Sequence, residues 1–187
     1  MSSQLAAQQA LDVCADPAAA PTEYDFARAV ILTARYAGVT IGSAESLTGG
    51  LASQLLTSVP GASEVFRGGV VAYTADVKER LLRVPASALE RLGTVDPEIA
   101  LAMARGAAEL LDVDVAVACT GVAGPDSHSG KPVGEVHLAV YDRSASSSRV
   151  NSLRLGGTRD DIRAQSAISM CGLLLDALLP HTDLDRG

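Results

Sequence analysis

The chain has 187 residues, of which 48% are hydrophobic and 20% charged, and a formal net charge of −7. That length and apolar content fit one compact domain and exclude a disordered chain, while no apolar run approaches the roughly 20 residues that span a bilayer. An acidic balance, no Trp and six aromatic residues leave neither a basic stripe for phosphate backbones nor stacking platforms for bases, so direct nucleic-acid binding is not expected.

Residues 1–21 are rich in Ala, Gln and Ser and read as a loosely helical or disordered extension, without a basic segment leading into an apolar core. Thr22 followed by Asp25 marks a helix start, and Phe26, Ala27, Val30, Ile31 and Ala34 keep helical spacing up to Gly38. Val39–Gly42 reads as a buried strand, and Leu51, Leu55 and Leu56 open the next helix. Between them lies Ala44-Glu45-Ser46-Leu47-Thr48-Gly49-Gly50. Pro60-Gly61 marks a loop, and Gly68–Tyr73 a strand. Short helices are expected from Asp76 and from Pro85 to Leu92, then a longer one capped by Asp96 and started by Pro97. Val113–Ala118 has the apolar run of a central strand and leads into Thr120-Gly121-Val122-Ala123-Gly124-Pro125-Asp126. Strands over Gly134–Tyr141 and Val150–Leu155 and a final helix from Arg159 to Pro180 complete the order. This order predicts an α/β fold, a three-layer α/β/α sandwich on a mixed sheet, with one domain over 22–182 and a tail at 183–187.

A strand-to-helix turn puts Ser46 at the carboxyl edge of a sheet, where open α/β folds bind ligands. Thr48 can cap the helix, and the amides of Gly49 and Gly50 can approach an anion closely. A serine hydroxyl needs a base to become a nucleophile. His137 falls in a strand and His181 in the tail, while His128 reads as a solvated loop residue. Lysine can serve as base if desolvation lowers its pKa from about 10.4. Spacing alone leaves Lys78 open between a surface lysine and such a base, and Tyr73 between a packed aromatic and a proton relay. Tyr73 and Lys78 are five apart, not the four of a shared helix face. Neither glycine turn matches a dinucleotide fingerprint or a Gly-x-Ser-x-Gly elbow. Cys14, Cys119 and Cys171 have no metal or disulfide spacing, which suits a reducing cytoplasm, with Cys119 and Cys171 as core filler.

The blocks AESLTGG (44–50), FRGGVVAYTADVK (66–78), TGVAGPD (120–126) and KPVGEV (131–136), in this order, resemble the CinA C-terminal domain family over roughly residues 24–180. The resemblance implies a nicotinamide-nucleotide amidohydrolase of pyridine-nucleotide salvage, in which Ser46 is the nucleophile, Lys78 the base and Tyr73 its assistant. It further implies substrate binding by Glu45, Thr48, Gly49, Gly50, Thr120, Gly121, Ala123 and Gly124. The expected small-molecule substrate is nicotinamide mononucleotide. No metal or other cofactor and no membrane partner are expected, and apolar helix faces suggest a homo-oligomer, dimer or larger. Ala75 stands where family members often carry a polar residue. That departure keeps open a weak or inactive nucleotide-binding module tied to competence or DNA damage. The chain reads as the stand-alone form of the domain.

Overall fold

The computed structural model describes residues 21–182. The extension expected over 1–21 (Pro21 apart), the tail at 183–187 and Cys14 lie outside the described residues.

Helix α1 (Glu23–Ala37) begins at a capping box. The Thr22 hydroxyl accepts from the Asp25 amide, and the Asp25 carboxylate accepts from the Thr22 amide. It ends at Gly38, whose left-handed backbone (φ 67°) suits a residue without Cβ. Then come β1 (Ile41–Glu45), α2 (Leu51–Thr57), β2 (Phe66–Val71), α3 (Ala75–Leu82) and α4 (Ala86–Leu92). They are followed by α5 (Pro97–Leu110), β3 (Val115–Gly121), β4 (Glu135–Asp142), β5 (Ser147–Arg154) and α6 (Arg159–Leu178). The expected order of helices and strands is met. Strand β1, however, starts later than Val39 and runs through Ser43 to Glu45, buried throughout. Its polar residues conceal it in the sequence because each finds its partner only after folding; Ser43 Oγ, for one, lies 2.9 Å from Ser53 Oγ.

The sheet order is β2-β1-β3-β4-β5. Strands β2, β1 and β3 are mutually parallel, and β4 and β5 add antiparallel pairs. One face packs Ile41, Val115, Val117, Val136 and Leu138 against α1, α2 and α6. The other carries Ala44, Ala116, Ala118 and Ala139 against α3, α4 and α5. These two cores make the three layers. By length and composition, Arg159–Thr182 could span a membrane, contrary to the expectation that no stretch comes close. Half of its most apolar window is buried, with Ile162, Met170, Leu174 and Leu178 in the core. That is the pattern of a core helix.

The alanine-lined face brings α5 very close. A Cβ on Gly106 would lie 1.9 Å from the Leu82 carbonyl oxygen at the end of α3. Gly106→Ala should therefore gain about 1 kcal/mol in helix propensity and lose about 3 to backbone displacement. Urea unfolding should show a net loss of about 2 kcal/mol, and unchanged stability would mean that α3 and α5 separate easily.

Candidate active site

Because β1, β2 and β3 run parallel, their carboxyl ends open on one edge of the sheet. From β1 the chain enters the Ser46 turn; from β2 it passes Ala72 and Tyr73 into α3; from β3 it enters the Gly121–Asp126 turn. Lys78 lies on the inner face of α3, fully buried although Glu79 and Arg80 beside it are exposed. Its ammonium donates to Ser46 Oγ at 2.9 Å and to the Ala72 carbonyl at 2.7 Å. Burial without a facing carboxylate lowers its pKa from 10.5 to about 8. Once the proton is lost, the same 2.9 Å separation lets the Ser46 hydroxyl donate to the amine. The structure thus brings together the two residues that spacing alone left apart.

The turn between β1 and α2 departs from the expected anion nest. Thr48 does not cap α2; it is fully buried, and its Oγ1 lies 3.1 Å from Cys119 Sγ. Glu45 caps α2 instead. One carboxylate oxygen accepts from the Gly50 and Ala52 amides at 2.9 and 3.2 Å. The other accepts from the Ser53 amide at 2.8 Å and the Ser53 hydroxyl at 2.5 Å. Glu45 is fully buried, so it serves the turn and not a substrate. The Gly49 amide is likewise used, donating to the Ser46 carbonyl. Gly49 and Gly50 are required for their positive φ of 62° and 104°, not for approach to an anion. Arg163 of α6 ties down the turn through the Leu47 and Thr48 carbonyls.

Above Ser46 opens a cavity of about 310 Å³. Its walls include Tyr73, Thr120, Gly121, Ala123, Gly124 and Arg159. The second turn therefore stands where expected, whereas Glu45, Thr48, Gly49 and Gly50 are not among the lining residues. Thr120 Oγ1 donates to the Thr94 carbonyl at 2.6 Å. Tyr73 is exposed, and its hydroxyl accepts from Arg159 at 2.9 Å, not from Ser46 or Lys78. Arg159 also donates to the Gly124 carbonyl. Sequence reasoning missed Arg159. Its signal was a cation in the first turn of a helix, where the macrodipole disfavours one. His128 lines the cavity as well, while His137 contacts Ser152 and Glu135. Ala75 is exposed on α3 and is not among the lining residues, so a missing polar group there leaves the cavity wall unchanged.

The CinA C-terminal domain family matches residues 23–178. A competence-damage inducible protein of Geobacillus kaustophilus is 45% identical over 141 residues, covering 75% of this chain and 34% of that protein. A CinA-like protein of Geobacter sulfurreducens is 46% identical over 146 residues, 78% of this chain and 35% of its own. The chain thus spans about a third of the length of these curated relatives. Among solved structures, the competence/damage inducible protein CihA of Agrobacterium tumefaciens superposes with a TM-score of 0.79 at 37% identity, covering 83% of this chain and 94% of that one. A CinA superfamily protein of Klebsiella pneumoniae gives 0.80 at 25% identity, with coverage of 84% and 98%.

Proposed function

This chain belongs to the CinA C-terminal domain family, and from that premise we propose that it is a serine amidohydrolase converting nicotinamide mononucleotide and water to nicotinate mononucleotide and ammonia. The observation that carries this reading is the 2.9 Å contact between a buried lysine amine and a serine hydroxyl on the floor of an open cavity. Neutral Lys78 takes the Ser46 proton as Oγ attacks the carboxamide carbon. Backbone amides at the cavity hold the oxyanion, a contribution of about 3 kcal/mol per donor. Lys78 then returns the proton to the departing nitrogen, so that ammonia leaves and an acyl-Ser46 ester remains. Water, deprotonated by the same amine, cleaves that ester and frees the acid and Ser46.

The substrate phosphate calls for a cation, because two of the helix termini beside the site are already filled. Glu45 fills the start of α2, and Thr158 with Asp161 fills the start of α6. Arg159, a planar donor at the cavity wall, is suited to a phosphomonoester. Arg159→Ala should raise KM for nicotinamide mononucleotide about 10- to 100-fold, the range of one lost charge-assisted contact. Turnover of the unphosphorylated riboside should be little changed. Equal effects on both substrates would remove Arg159 from phosphate recognition. The proposal includes a cytoplasmic setting and a homo-oligomer, the latter checked by gel filtration. Incubation of the purified chain with nicotinamide mononucleotide tests the whole reading. A gain of about one dalton in the nucleotide with release of ammonia supports it, and unchanged nucleotide overturns it.

A further inference from the structure

Cys119 lies in the buried run of β3 beside the nucleophile turn, fully buried. Its thiol stays neutral, since burial pushes the pKa up to about 11. Thr48 Oγ1 sits 3.1 Å from the sulfur, and the Ser46 and Thr48 amides face it closely enough to offset part of that rise. The residue between them behaves differently. Leu47 lines the cavity although its side chain belongs to the core. The Ser46 carbonyl faces into the turn, accepting from the Gly49 amide at 3.1 Å. In a trans peptide the N–H points opposite to the C=O, so the Leu47 N–H points away from the turn. Among the described residues it has no protein acceptor.

We infer that Cys119 is a positioning residue: by holding the amides on either side, its sulfur aims the Leu47 N–H into the cavity as an oxyanion donor. This inference rests on the hydrolase reading and deepens it. Three tethers act on one short turn, Glu45 at its far end, Arg163 on its carbonyls and Cys119 on its amides. An oxyanion donor acts on charge that develops in the transition state, so its misalignment lowers kcat and leaves KM nearly unchanged.

The test compares the full chain with Cys119→Ala, Cys119→Ser and Thr48→Val in two assays. One is steady-state hydrolysis of nicotinamide mononucleotide. The other is labelling by a fluorophosphonate, in which Ser46 Oγ bonds to phosphorus, fluoride leaves and Lys78 takes the proton; tryptic mass locates the adduct. Cys119→Ala should lower kcat and the labelling rate together by about 10- to 100-fold, with KM within about twofold. Cys119→Ser, which keeps a polar acceptor, should recover most of the loss. Wild-type rates in Cys119→Ala, or equal losses in the Ala and Ser variants, overturn the inference. If Cys119→Ala does not fold, Thr48→Val carries the test, since it keeps the buried shape. A several-fold fall in both rates supports the inference, and unchanged rates overturn it. If the wild type labels at Ser46 but leaves the nucleotide intact, the substrate assignment falls and the labelling rates still decide on Cys119. If the nucleotide is hydrolysed and Cys119→Ala matches wild type, the inference alone falls. If the wild type does neither, both fall.

Discussion

Lys78→Met is expected to reduce amide hydrolysis by at least about 10³-fold, comparable to Ser46→Ala, because each removes half of a pair that acts as a unit. In the wild type, kcat/KM should rise with pH and level off above about 8, as Lys78 loses its proton. The same residue shapes stability. Below about pH 8 the folded state holds an ammonium that burial penalises, whereas the unfolded chain keeps its proton up to 10.5. The shift corresponds to a cost of about 3 kcal/mol. This cost is fully present below pH 8 and disappears as pH rises to 10.5, so this group makes stability increase across that window. Methionine removes the cost but strips the Ala72 carbonyl of its donor, a loss of about 1–3 kcal/mol. At pH 7 the inactive variant should unfold in urea at about the wild-type midpoint or above it, and near pH 10 it should fall below. A stability difference that stays constant between those pH values would contradict a neutralised buried amine.

Glu45→Ala should be the most damaging change at the site that touches no substrate. It orphans three backbone donors at the start of α2 and leaves the Ser53 hydroxyl with Ser43 alone. Losing a charged cap costs about 1–2 kcal/mol, and each amide left dry adds to that, so about 3 kcal/mol or more is expected from urea titration. The adjoining Ser46 should lose its alignment, with kcat falling about 100-fold at nearly constant KM. Glu45→Gln should fall between, since its amide group places a donor against a donor. Wild-type stability in Glu45→Ala would show that the turn is held by something else.

How legible the site was in the sequence depended on whether its signal was local. The capping box at Thr22 and Asp25, the Asp96-Pro97 start of α5 and the glycine stop at Gly38 each depend on neighbours within a few residues, and each forms as read. Thr48 misled because a hydroxyl three residues before Leu51 is a reasonable cap, whereas the acceptor chosen is a carboxylate five residues before Gly50, at the end of a strand. Lys78 was ambiguous for the opposite reason. Its helix neighbours are charged and exposed, and only the tertiary fold turns this one side chain inward. Arg159 joins the site across 86 residues of chain from Tyr73, a distance over which neither pattern nor period speaks. The resemblance to a family supplied the pairing of Ser46 with Lys78; the geometry supplied the reason that pairing can transfer a proton.

The two layers flanking the sheet differ in how much change they can absorb. On the face lined by Ala44, Ala116, Ala118 and Ala139, Gly106 of α5 lies against the Leu82 carbonyl of α3, and a methyl added there must move a helix against the one carrying the buried Lys78 amine. Across the sheet, the branched and long side chains around Ile31, Leu56, Met170 and Leu174 can exchange volume with one another. Efforts to harden this scaffold against heat without blunting its chemistry belong on that second side, where bulk can be redistributed while Lys78 stays in register with Ser46.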